Sequence, residues 1–140
     1  TQACFETDPT LFLGGSHQHP CYPGTGLPGE RGVGNIVNAI LPPGGDGAPF
    51  RAAWSGTILP ALEAFEPGLV IISAGFDAHA RDPLAQLRLR EADFAWVTEE
   101  LCRVAERHCG GRVVSLLEGG YDLEALASSA AVHVRGLMRA

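Results

Sequence analysis

The sequence predicts an α/β fold: a three-layer arrangement of a mainly parallel sheet with helices on both faces. From Ile36 onward, apolar runs of strand length alternate with longer segments of helical period, in the order strand, helix, strand, helix, strand, helix. The later runs are nearly continuous in apolar residues, as in parallel strands covered on both sides. Such alternation is built from right-handed crossovers that place helices over the sheet. A chain of 140 residues, 46% apolar and 19% charged, has material for one core and one domain.

Leu11-Phe12-Leu13 and Ile36 to Leu41 read as short buried strands. The intervening Gly14 to Gly34 carries seven glycines and Pro20, Pro23 and Pro28, and is expected to be a long loop, a form that is usually functional or disordered. From Ala48 to Phe65, Trp54, Ile58, Ala61, Leu62 and Phe65 recur with helical period, and Pro60 should kink that helix. Leu69 to Ala74 is the next strand, centred on Val70-Ile71-Ile72. A helix follows with Phe94, Val97, Leu101, Val104 and His108 on one face, stopped by Gly110-Gly111. Val113 to Leu117 reads as a further buried strand. Leu123, Leu126, Ala127, Ala130, Val134 and Leu137 mark a last helix that Asp122 can cap. A domain rarely opens on a strand pattern with no lead-in, so a fragment is expected.

A net charge of −6 and a pI near 5.2 give no general attraction to nucleic acid or to an anionic membrane. No apolar run approaches the roughly 20 residues that span a bilayer, and Thr1 to Asp8 lack the regions of a signal peptide. A cytoplasmic protein is the expectation. Cys4, Cys21, Cys102 and Cys109 form no Cys-x-x-Cys pair; Cys102 and Cys109 read as buried reduced thiols.

In open parallel sheets ligands sit beyond the carboxyl ends of the strands. The segments there are polar: Gly14 to His19, Gly75-Phe76-Asp77-Ala78-His79, and Glu118-Gly119-Gly120-Tyr121-Asp122. Topology alone therefore places the site among His17, His19, Asp77, His79, Glu118 and Tyr121. Read alone, an Asp after a strand is most often a turn former or helix cap, and a Tyr there is an amphipathic boundary residue.

Ser73 to His79 and Leu117 to Leu123 closely resemble two motifs of class II histone deacetylases and their bacterial relatives. His17-Gln18-His19-Pro20-Cys21-Tyr22-Pro23-Gly24-Thr25-Gly26 resembles a third. The order is that of the family, and the resemblance covers essentially the whole chain. It implies an arginase/deacetylase-like fold and a zinc-dependent amidohydrolase acting on acetyl-lysine or a related acetylated amine. It also implies that residues 1–140 are the C-terminal part of a single catalytic domain, incomplete at the N-terminus. Asp77 then takes the place of one of three protein ligands to a single catalytic zinc. The other two belong to an upstream Asp-x-His motif absent here, as is the tandem His pair that serves as general acid and base. Thr1-Gln2 resembles the continuation of that segment, so the remaining ligands are expected upstream of Thr1.

The resemblance assigns Tyr121 as hydrogen-bond donor to the oxyanion, with Gly119 and Gly120 letting the backbone turn sharply toward substrate. Tyr22 takes the position of an aromatic wall of the acyl-lysine channel; the alternative is a surface-loop aromatic. His17 receives a supporting hydrogen-bonding role, and His19 none. Asp77-x-His79 looks like a metal pair, but the family assigns no ligand role to His79, which is expected to be an exposed loop residue. Leu84 stands where polyamine deacetylases carry a Glu that attracts a cationic substrate, which lowers the expectation of a polyamine. Gly15 stands where the family usually has a Ser of a monovalent-cation site, so potassium is not expected unless backbone carbonyls suffice. Two rival readings are retained. One is a non-catalytic fragment or interaction module, with homo-oligomerisation through an uncovered sheet edge left open. The other is a ureohydrolase, which bridges two manganese ions through an Asp-x-Asp motif that Asp77-Ala78-His79 does not match.

Overall fold

The computed structural model describes residues 1–139. Its elements run α1 (Gln2–Phe5), β1 (Leu13–Gln18), β2 (Ile36–Leu41), α2 (Gly47–Ala53), a π-helical turn (Trp54–Ile58), α3 (Leu59–Phe65), β3 (Val70–Ala74), α4 (Glu91–Cys109), β4 (Val113–Leu117) and α5 (Leu123–Leu137). The chain is α/β and its strand pairs are parallel, as the alternating pattern requires. The strands form two ladders, β1 with β2 and β3 with β4, where a single sheet was expected. Each ladder runs in register over its full length, from Leu13 opposite Ile36 to Gln18 opposite Leu41, and from Val70 opposite Val113 to Ala74 opposite Leu117.

The first strand lies further along the chain than its apolar run suggests. Gly14, Gly15, Ser16 and His17 are paired strand residues, with no loop beginning at Gly14. Glycine is needed at position 14 because a Cβ there would lie 2.8 Å from Ile58 Cγ2 and from Phe12 Cε1. Close packing on the helix thus removes the side chains that mark a strand in sequence. The Trp54 indole N–H donates to Ser16 Oγ at 2.9 Å and fixes the same contact from the helix side.

Pro60 limits the helix through an intermediate turn. Leu59 N–H donates to Trp54 O, five residues back, and the widened turn leaves Pro60 in the first turn of α3. A first-turn residue needs no N–H, so proline costs little there. Asp46 caps α2 by accepting from Ala48 N at 3.0 Å, and Asp122 caps α5 by accepting from Ala125 N at 2.8 Å. Gly110 and Gly111 end α4 with φ of +60° and +76°, conformations that a residue with a Cβ adopts only at a cost.

One core joins the ladders. Leu41 of β2, Phe50 of α2, Ala74 of β3, Phe76, Leu87, Leu89 and Phe94 of α4 form a continuous buried cluster. Helices α4 and α5 both lie on the face of β3 and β4 that carries Ile72 and Ser115. The opposite face is open. Ile71 is 62% exposed, and Val114 and Leu116 beside it are exposed too, so β3 and β4 are not covered on both sides within the described residues.

Helix α5 is also rotated from the expected face. Leu126 and Ala130 pack on the core, but Leu123, Ala127 and Val134 are exposed and the buried positions are Ala125, Ser129, His133 and Gly136. Small residues allow α5 to approach α4 closely; a Cβ on Gly136 would lie 2.9 Å from Thr98 Cγ2. The buried imidazole is accommodated by hydrogen bonding. Thr98 Oγ1 donates to Phe94 O at 2.6 Å, so it accepts from His133 Nδ1–H at 2.7 Å, leaving His133 Nε2 to accept from Ser115 Oγ–H at 2.7 Å. All four cysteines are free, and Cys102 and Cys109 are buried as expected. No described helix is long and apolar enough to cross a membrane.

Candidate active site

The segments after β3 and β4 are knitted together immediately beyond the paired strand ends. Glu118 N–H donates to Ala74 O at 3.0 Å, and Phe76 N–H donates to Gly119 O at 2.8 Å, extending the parallel contact past both strands. This brings the Asp77 carboxylate against Gly119. A Cβ on that glycine would lie 2.6 Å from Asp77 Cγ and Oδ2, and one on Gly75 would lie 3.1 Å from Oδ1. Glycine at 119 is therefore required by the approach of a carboxylate. Gly120 follows with φ +140° and packs under Leu126 and Phe76. Tyr121 comes next, its side chain 55% exposed. The Asp77 loop and the Tyr121 loop thus meet at one edge, as topology requires.

Asp77 is half-buried, and among the described residues no other residue donates a hydrogen bond to its carboxylate. Burial pushes its carboxyl above the usual range; its own backbone amide offsets part of the rise, and the charges of Asp82 and Glu118 add to it. A carboxylate so placed is suited to a cation. Among the described residues there is no group of three or more His, Cys, Asp or Glu able to hold a metal.

His79 lies inside the protein, contrary to the exposed loop position expected for it. It is 2% exposed, stacked on Phe94. Nδ1 accepts from Arg81 N at 3.1 Å, and Nε2 faces Glu91 Oε1 at 3.5 Å, too far for a good hydrogen bond. Its ring serves the packing of the loop on α4.

The β1 side is less tightly joined. His17 is half-buried in β1, with its ring against Gly26, whose Cβ would meet Cε1 at 2.6 Å; Nε2 has no hydrogen-bond partner among the described residues. Tyr22 stands 95% exposed in the long loop, and Leu84 is also exposed. Gly15 has open space where a Cβ would lie. Two connections were not visible in the sequence. Gln18 at the end of β1 pairs with Gln86, accepting from its backbone N at 2.8 Å and donating to its side chain at 3.2 Å. Asp82 accepts from Tyr121 N at 2.9 Å and from Leu84 N at 2.9 Å. The signal for Asp82 was its place before Pro83, which reads as turn chemistry and conceals the long-range bond.

The family model for the histone deacetylase domain matches residues 1–137. The chain belongs to the histone deacetylase family. It is 39% identical over 142 residues to "Histone deacetylase 14, chloroplastic" of Arabidopsis thaliana, covering 99% of this chain and 34% of that protein. It is 39% identical over 128 residues to the histone deacetylase-like amidohydrolase of Pseudomonas aeruginosa, covering 87% of this chain and 33% of that one. Among solved structures, the HDA15 HD domain superposes with a TM-score of 0.91 at 34% identity, over 99% of this chain and 40% of that one. This histone deacetylase-family chain thus spans about a third of the length of the curated relatives it matches.

Proposed function

We propose that the protein is a zinc-dependent deacetylase that hydrolyses an acyl amide, acetyl-lysine or a related acetylated amine, and that residues 1–140 are the C-terminal part of its catalytic domain. The observation that carries this reading is the contact between the Asp77 carboxylate and Gly119, two residues before Tyr121, beyond two paired parallel strands. Family membership supports deacetylase chemistry in general terms.

Bound zinc would supply Lewis-acid activation of water and of the scissile carbonyl, with Asp77 as one of its ligands. Tyr121 presents its hydroxyl hydrogen to the carbonyl oxygen as that oxygen gains charge. Such a donor acts on the transition state more than on the ground state. Gly119 keeps the Asp77 carboxylate free of steric obstruction, and Gly120 directs the backbone so that Tyr121 stays at the open edge. Leu84 carries no charge for a polyamine, which favours an acetyl-lysine side chain over a polycationic substrate. Tyr22 is assigned to the channel wall. A cytoplasmic setting belongs to the same proposal, in keeping with four free cysteines.

Tyr121→Phe in the full-length protein tests the central assignment. Loss of one oxyanion donor should lower kcat by about 10² to 10³ on an acetyl-lysine peptide; an unchanged kcat removes Tyr121 from the reaction. A second reading, that this chain by itself is catalytically incompetent, is supported by the lack, among the described residues, of any group of three metal-ligating side chains. Zinc titration of the purified 140-residue chain should show only weak binding and no turnover. Tight stoichiometric binding would reveal further ligands within it.

A further inference from the structure

Two consecutive glycines leave the approach to Tyr121 permissive, because neither has a side chain to pack and Gly120 takes a φ that other residues avoid. The phenolic hydroxyl has no hydrogen-bond partner among the described residues, and the ring is largely in solvent. Something other than side-chain packing must therefore fix where Tyr121 sits. Two bonds from the neighbouring loop do so. Gly119 O accepts from Phe76 N, and Tyr121 N–H donates to Asp82 Oδ2 at 2.9 Å.

Asp82 is placed to act as a clamp. It is 9% exposed, and its oxygens are used separately: Oδ1 accepts from Leu84 N within its own loop, and Oδ2 accepts from Tyr121 N, 39 residues away. Its own backbone N donates to His79 O at 2.9 Å, tying it to the segment that follows Asp77. An ionised acceptor makes a stronger bond to an amide than a neutral one does. Arg81 adds an outer connection to Asp122 at 3.3 Å and Glu124 at 2.8 Å, but these pairs are exposed and screened.

We infer that Asp82 is a positioning residue for the oxyanion donor: its carboxylate holds the Tyr121 backbone amide and so registers Tyr121 against the loop that carries Asp77. This rests on the reading of Tyr121 given above. Asp82→Asn preserves shape but leaves one acceptor oxygen for two backbone donors, so either Leu84 N or Tyr121 N loses its partner.

The test uses full-length wild type, Asp82→Asn, Tyr121→Phe and the double variant, assayed on an acetyl-lysine peptide with zinc content measured in each. Misplacing a catalytic group by about 1 Å can cost about 10²-fold, so Asp82→Asn should lower kcat by roughly ten- to a hundredfold with zinc retained. In the Tyr121→Phe background the same change should cost less than about threefold, because the group it positions is already gone. An equal loss in both backgrounds, an unchanged kcat in Asp82→Asn, or a loss that follows zinc content overturns the inference. Tyr121→Phe alone reports on the underlying reading, so the two failures are distinguishable. Amide hydrogen exchange of the wild-type protein needs no variant. The Tyr121 amide should exchange at least about tenfold more slowly than in an unstructured chain, and exchange at the unstructured rate would overturn the clamp.

Discussion

Gly119→Ala places a single methyl group where the structure has too little room for it. The new Cβ would lie 2.6 Å from Asp77 Cγ and Oδ2 and 3.0 Å from Oδ1, whereas ordinary contact begins at 3.4 Å. The backbone at Gly119 cannot easily retreat, because its carbonyl is held by Phe76 N at 2.8 Å. The carboxylate must therefore give way by a distance on the order of 0.5 to 1 Å, or the two loops must separate; overpacking of this kind costs about 1 to 3 kcal/mol. Displacing a metal ligand by that amount should weaken zinc binding by about 10- to 100-fold, in the range seen when ligand orientation is disturbed. Zinc affinity of the full-length variant, measured by competition with a chromophoric chelator, should fall together with kcat, while a thermal melt still shows a cooperative transition. Gly56→Ala is the control, since a Cβ there meets nothing within 4 Å. Wild-type zinc affinity and kcat in Gly119→Ala would refute the placement of the Asp77 carboxylate, and with it the reason for a glycine at 119.

Burial holds the His133 imidazole below its usual protonation range, so the unfolded chain binds a proton that the folded chain refuses. Stability should therefore be fully present above about pH 6.5 and fall as pH drops below it. Urea melts of the wild type and of His133→Gln across that window check this, and an unaltered slope in the variant would show that another group is responsible. Asp46→Ala removes the acceptor for Ala48 N, and urea unfolding should show a loss of about 1 kcal/mol. No measurable change would mean that solvent caps α2 equally well.

Much of the candidate site was legible because it depends on local order. Parallel strands carry polar residues at their carboxyl ends, so Asp77 and Tyr121 could be placed at one edge from the alternation of strand and helix, and the resemblance to the deacetylase family then gave them roles. Capping by Asp122 and the stop at Gly110 were legible for the same reason, since both are settled within a few residues. Other features could not be read locally. His79 looked like a loop residue, but Phe94 from α4 covers its ring. Leu123 and Val134 looked like a core face, but close approach through Gly136 and Ser129 turned His133 inward instead.

By itself the sequence determined the α/β class, the parallel strands, the Asp122 cap and the stop at Gly110, all consequences of hydrophobic period and short-range hydrogen bonding; topology narrowed the candidate site to six residues, and the family resemblance singled out Asp77 and Tyr121 among them. Only the tertiary structure decided that the strands form two ladders, that one face of β3 and β4 is open, and that Asp82 holds the Tyr121 amide. The physical reason is range. A bond between residues 39 apart, or a glycine required by a carboxylate more than 40 residues upstream, leaves no trace in the spacing of neighbours and exists only once the chain has closed on itself.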